Sequence, residues 1–295
     1  MEYLPDITTL QTALPNVIKL DYLNSGAFKA VYRGEFTDGP KEAVKAAYLP
    51  PATDDDASDR PQLENRLQRE LDALRACPSQ FIVRLGRLYP TIVNVGGNDY
   101  LVYSEELLSG RSLRTFIGDH PLPEFARLKN LMLCLLDVIH KLWNTGYVHR
   151  DIKPENIMVT DDPTRPFVIL DLGIALRIHG TRLTLPGSMI GTPRYMPPEA
   201  VIPDYHDHID FRSDLYSAGM TVFEYACGRH PLSNNTDNVQ TTFYRIVHQP
   251  IPKLEAIRID LPVSYCRMVD RCVRKAPYLR HNDIGALIKD VEAMA

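Results

Sequence analysis

The chain reads as an α+β protein, strand-rich in its first part and mainly helical in its second. Two observations predict this. Short β-type apolar runs dominate from Val17 to Gly110, and longer helical patterns take over beyond that glycine. A third observation marks the site. A polar loop, His149-Arg150-Asp151-Ile152-Lys153-Pro154-Glu155-Asn156, lies between short apolar segments in the helical part.

Residues 1–16 carry threonines and prolines without clear periodicity and are expected to form a leader against the first lobe. Strand-like runs follow at Val17–Tyr22, Ala30–Gly34, Ala43–Ala47, Leu88–Val93 and Tyr100–Tyr103. One helix interrupts them, with Leu63, Leu67, Leu71 and Leu74 at helical spacing. The acidic, proline-led stretch Pro50 to Asp59 before it reads as a loop. Pro123 and Glu124 suit the start of a second helix, whose Leu128, Leu131, Met132, Leu135, Ile139 and Leu142 share one face. Gly146 is placed to end it. Tyr147-Val148, Ile157-Met158-Val159 and Val168-Ile169-Leu170 are very short strands around the polar loop. The segment from Asp214 to Cys227 is apolar nearly all round, which predicts a buried helix closing at Gly228.

Composition narrows the function classes. With 295 residues, 44% of them apolar, the chain can bury a core and divide into two lobes. A net charge of -4 gives no basic surface for nucleic acid or anionic lipid. No apolar run approaches the roughly 18 residues of a spanning helix, and the start lacks the order of a signal peptide. The five cysteines are scattered and match no common zinc spacing, so they read as reduced thiols and the location as cytoplasmic.

The polar loop sets an aspartate, a lysine and an asparagine close together, and Asp171-Leu172-Gly173 follows. Phosphoryl transfer from a nucleotide needs such a set: a carboxylate for a hydroxyl proton, oxygen ligands for magnesium, and a cation against the phosphate. In content and order, the motifs from about Val17 to the C-terminus resemble those of eukaryotic-like (Hanks-type) serine/threonine protein kinases. The phrases Asp171-Leu172-Gly173-Ile174-Ala175 and Gly191-Thr192-Pro193-Arg194-Tyr195-Met196 are most similar to the bacterial branch.

The resemblance implies a bilobal kinase-like fold. The leader (1–16) would precede an N-lobe (17–108) with one key helix, a mainly helical C-lobe (109–295) would follow, and the active site would lie in the cleft between the lobes. It implies ATP and Mg2+ as cofactors and proteins with serine or threonine acceptors as substrates. Asp151 would take the hydroxyl proton, Lys153 would face the transferring phosphoryl group, and Asn156 and Asp171 would hold magnesium. Lysine at 153 favours serine/threonine over tyrosine acceptors.

Lys45 would bind the α- and β-phosphates, paired with a glutamate of the leucine-striped helix. Glu64 and Glu70 both qualify by type, and Glu70 fits the family's distance to Phe81-Ile82-Val83. Val31, Ala43 and Met158 would enclose the adenine, with the hinge near Glu105–Leu108. The glycine-rich lid departs from the pattern. Asn24-Ser25-Gly26-Ala27-Phe28-Lys29-Ala30-Val31 keeps only Gly26 of the three glycines, and Lys29 is expected to face solvent, with a phosphate contact as the alternative.

Residues 171–199 resemble an activation segment ending in Pro197-Pro198-Glu199. Thr181, Thr184 and Ser188 are candidate phosphate acceptors, and Arg150 is the cation that would meet the phosphate. Thr192 would support Asp151 and Lys153, Glu199 would pair with Arg280, and Asp214 would bind the backbone around His149. Glu155 matches a position that can bind a basic substrate side chain, but Arg111 occupies a second such position. His206-Asp207-His208 reads as a solvated loop.

Two other readings stay open at this point. The altered lid would suit a pseudokinase acting as a scaffold. A related small-molecule phosphotransferase would lack the platform of residues 191–199.

Overall fold

The computed structural model describes residues 4–26, 29–51, 59–118, 121–172, 176–177, 193–201, 209–233 and 237–295. They fall into two compact units. The first comprises the described residues up to Arg75 together with Val83–Leu108, and the second comprises Ala76–Ile82 and those from Ser109 onward.

The first unit is built on a five-stranded antiparallel sheet in the order β1-β2-β3-β5-β4. The strands are β1 Val17–Ser25, β2 Lys29–Phe36, β3 Glu42–Leu49, β4 Thr91–Val95 and β5 Asn98–Glu106. Alternation sorts the side chains onto two faces. One face presents Ala30, Tyr32, Val44, Ala46, Tyr100 and Val102 to a core cluster. Ala47 and Leu49 of the opposite face pack on Leu67 of helix α2, Asp59–Ala76.

Two differences from the sequence reading appear in this unit. The leader contains a helix, α1 (Ile7–Thr12), capped by Asp6, whose side chain accepts from the Thr9 N–H. Leu10 and the following Leu14 are buried in the core cluster, so this segment is part of the unit's packing. The strand read at Leu88–Val93 instead spans Thr91–Val95, after Pro90. A tight turn sets its register: Val95 faces Asn98 across Gly96 and Gly97, whose φ angles are 61° and 87°. Two successive positive φ values are what a two-residue hairpin turn needs, and glycine reaches them without a Cβ clash.

The second unit is mainly helical. Helix α3, Phe125–Asn144, buries the six predicted face residues, and Gly146 beyond its end adopts φ 87°. Helices α4, Pro198–Val201, and α6, Val239–His248, are short, whereas α5, Phe211–Cys227, is buried along nearly its whole length and closes on left-handed Gly228. It starts before Asp214 because Asp210 caps it, accepting from the Arg212 N–H. A Cβ on Gly219 would come within 2.8 Å of Cys272 and Val273, so glycine allows α5 its close approach to the end of α7, Val263–Cys272. Tyr265 of α7 donates to the Leu128 carbonyl at 2.8 Å and joins that helix to α3.

The short strands form two small sheets. Strands β6 Gly110–Ser112, β8 Ile157–Thr160 and β9 Phe167–Ile169 run antiparallel in that order, and β7 Tyr147–Val148 pairs with β10 Leu176–Arg177. Ala76–Ile82 belongs with this helical unit. Arg165 donates to the Gln80 carbonyl at 2.6 Å, Ile169 N–H to Phe81 O at 2.8 Å, and Ser79 to Asp137 at 2.5 Å.

Candidate active site

The polar loop is shaped from beneath by one buried carboxylate. Asp214, in the first turn of α5, accepts the N–H groups of His149 and Arg150 at 2.7 and 2.8 Å. Burial pushes its pKa up to about 6, against the pull of those two donors. Between them Arg150 takes φ 67°, a left-handed value uncommon for a side chain of this size. The turn brings the next residue, Asp151, back over the loop, where its N–H donates to His149 Nδ1 at 3.3 Å. His149 is fully buried, which lowers its pKa to about 4 and keeps the ring neutral.

Asp151 is the centre of the loop's side-chain bonding. Lys153 Nζ reaches its two carboxylate oxygens at 2.9 and 2.7 Å. The Asn156 amide donates to the Asp151 carbonyl at 3.0 Å and to its carboxylate at 2.8 Å. Pro154 starts a 3-10 turn over Pro154–Asn156, which carries Asn156 back towards Asp151. The Asp151 pKa is raised, because burial outweighs the lowering by Lys153 and Asn156. A carboxylate so placed can orient a hydroxyl and accept its proton. The amide nitrogen of Asn156 is turned to Asp151, so its carbonyl oxygen is the end suited to a hard cation. That oxygen and the Asp171 carboxylate are hard donors of the kind magnesium takes, so the chemistry of these residues fits the ion.

The helical unit also brings together Glu199 and Arg280. The guanidinium meets both carboxylate oxygens at 2.6 and 2.7 Å, and the side chains are 1% and 0% exposed. Ser213 donates to the same carboxylate at 2.8 Å. Glu155 is held by Arg114, which donates to it at 2.8 Å and to buried Glu224 at 2.7 Å, and also meets the Tyr195 hydroxyl. The sequence reading missed this hub. Its partners lie 41, 110 and 81 residues away, and no local pattern signals such a meeting. Arg111 lies over the Phe116 ring, 4.8 Å from its centre.

In the strand-rich unit, Val31, Ala43 and Lys45 share one face of the sheet. Lys45 Nζ meets Glu105 at 2.8 Å, an acceptor the sequence reading did not foresee. The Glu70 carboxylate accepts two bonds from Lys29, at 2.7 and 2.9 Å. Lys29 is therefore not the solvent-facing residue expected. Its side chain is 19% exposed, and its ammonium is held against α2. Gly26 donates to the Lys29 carbonyl at 2.8 Å across the β1–β2 turn. Met158 is half-buried in β8, and Asp171 half-buried after β9. Thr181, Thr184, Ser188, Thr192 and the His206–His208 segment lie outside the described residues.

A five-stranded sheet with one long helix, and a helical unit carrying this aspartate-lysine-asparagine loop, define a protein-kinase-like architecture. Residues 18–289 match the family model described as protein kinase domain, and the chain belongs to that family. It is 30% identical over 202 residues to a probable serine/threonine-protein kinase of Clostridium acetobutylicum, covering 68% of this chain and 29% of that one. Serine/threonine-protein kinase PknL of Mycobacterium tuberculosis is 30% identical over 203 residues, which is 68% of this chain and 48% of PknL. Serine/threonine-protein kinase A of Synechocystis is 29% identical over 288 residues, 93% of this chain and 52% of the relative. The chain thus spans from under a third to about half of these relatives' length. Among the described residues no helix is long and apolar enough to cross a membrane.

Proposed function

We propose that this chain is a magnesium- and ATP-dependent serine/threonine protein kinase acting on protein hydroxyls. The observation that carries this reading is the Asp151 carboxylate, with the loop backbone just before it fixed by Asp214 and with Lys153 and Asn156 bonded to it. In the reaction, a serine or threonine oxygen attacks the γ-phosphorus as the bond to the β,γ-bridging oxygen breaks. Asp151 accepts the hydroxyl proton, and ADP leaves with the bridging oxygen. Lys153 offsets charge on the transferring group, and Lys45 holds the phosphates. Magnesium, held by Asn156 and Asp171, would neutralise charge on the β- and γ-phosphates.

Electrostatic groups of this sort are each worth roughly 10²–10³ in rate, and several are present together. The names of the bacterial relatives support serine and threonine as acceptors. Lys153 supports the same preference through the family pattern. Autophosphorylation of Thr181, Thr184 or Ser188, read out through Arg150, is part of the proposal. A cytoplasmic location is a further part of it.

Phosphosite mapping after incubation with Mg-ATP and generic protein substrates tests the reading. Phosphate on serine and threonine is the expected result. Phosphate confined to tyrosine, or no transfer to any protein, would contradict it.

A further inference from the structure

The strand-rich unit holds two lysines on one face of its sheet. Lys29 lies opposite Ala47 and Val31 opposite Lys45, so the two lysines stand one diagonal step apart on the face that carries Val31 and Ala43. Tyr103 lies opposite Lys45 on β5, and both ammonium groups come within 6.0 Å of its ring centre, Lys45 at 5.9 Å. The Tyr103 hydroxyl is 3.3 Å from Lys29 Nζ.

Each lysine meets a buried carboxylate. Glu70, with a 2% exposed side chain, binds Lys29 through both oxygens, and Glu105, also 2% exposed, binds Lys45. Holding such charges away from water is costly unless each is compensated, and each ammonium here has a carboxylate against it. Such a pair adds little stability, but it fixes the direction of a flexible ammonium. The Lys29 carbonyl also accepts from the Gly26 N–H, which joins the ends of β1 and β2.

We propose that Lys29 is a second phosphate-binding cation, oriented by Glu70, which shares with Lys45 the anchoring of the nucleotide's phosphates. The proposal rests on the nucleotide-binding part of the function given above. A polyphosphate carries several negative charges and suits two ammonium groups on one face better than one. The side chain that replaces the lid's last glycine would then supply a charge where the usual lid offers only backbone N–H groups. Loss of either lysine would leave the other in place, so neither substitution alone would abolish nucleotide binding.

The test is calorimetric titration of ATP, with magnesium, into protein carrying Asp151→Asn, so that binding is read without turnover. Added Lys29→Met is expected to weaken ATP at least about tenfold, the worth of one charge-assisted contact. Lys29→Arg should stay within about threefold, and Lys45→Met should weaken ATP without removing binding. The double substitution should leave none measurable. Because Lys29→Met strands the buried Glu70 carboxylate, Lys29→Met/Glu70→Gln is run beside it as a variant with no stranded charge, and thermal melts verify that each protein is folded. Equal affinity in the parent and both Lys29→Met proteins would overturn the proposal and leave Lys29 a counter-ion of Glu70. So would a complete loss of binding on Lys45→Met alone. Lys29-dependent ATP binding in a protein whose unmutated form transfers no phosphate would uphold this inference and overturn the kinase reading instead.

Discussion

Replacing Arg280 by methionine should destabilise the helical unit severely. The guanidinium is the only cation on the Glu199 carboxylate among the described residues, and both side chains are essentially out of water. Removing one partner of such a pair typically costs about 3–5 kcal/mol, because the remaining charge stays buried. Arg280 also donates to the carbonyls of Arg212, Arg274 and Lys275. These bonds tie the start of α5 to the segment after α7, and each is worth on the order of 1 kcal/mol. Among the described residues Ser213 alone would remain on Glu199, so the expected loss is at least about 4 kcal/mol, a large share of a domain's usual 5–15 kcal/mol.

Urea denaturation followed by tryptophan fluorescence measures this directly. The single tryptophan, Trp143, packs against Phe211 at the start of α5, with ring centres 5.3 Å apart, so it reports on the affected unit. Glu199→Gln/Arg280→Met should cost clearly less than the sum of the two single changes, since no charge is stranded. A loss below about 1 kcal/mol for Arg280→Met, or strict additivity, would refute the reasoning.

Two further perturbations follow from the same physics. Asp214→Ala strands the buried N–H groups of His149 and Arg150, at about 1–3 kcal/mol each, and releases the left-handed turn before Asp151. The kcat should fall by at least about 100-fold with ATP affinity within twofold, while Asp214→Asn, keeping one acceptor, falls between; an unchanged kcat for Asp214→Ala would contradict this. Acidification should destabilise the protein through His149 and His230, both buried and with pKa values lowered to about 4. As the pH falls below about 6.5 the unfolded histidines take up protons and the folded ones do not, at about 2 kcal/mol each by pH 5. Asp214, raised to about 6, works the other way and returns about 1 kcal/mol. Melting temperature should therefore drop between pH 7 and 5, less steeply in His230→Gln; a flat profile would contradict the assignment.

The parts legible in the sequence are those whose cause is local. Helix α3 shows a one-sided leucine pattern and ends before a glycine in the left-handed region, and both are visible in its own residues. The Asp151 loop is legible because its side chains act within a few residues of one another, Lys153 and Asn156 on Asp151. Helix α1 is not, since Leu10 is its one buried residue, in a core assembled from distant strands. Nor is the Lys29–Glu70 pair, which joins residues 41 apart through the meeting of β2 with α2. Arg114 is a similar case: no local pattern singles it out, and only the fold brings Glu155, Glu224 and Tyr195 to it.

The central claim is that Asp151 performs the proton-accepting step of phosphoryl transfer. Its most direct test is the rate of γ-phosphate transfer to a serine/threonine substrate at saturating Mg-ATP, in the unmutated protein and in Asp151→Asn. A fall of at least about 10²–10³ in kcat, with ATP affinity unchanged, is the predicted result. Equal rates in the two proteins, or no transfer by either while both bind ATP, would contradict it.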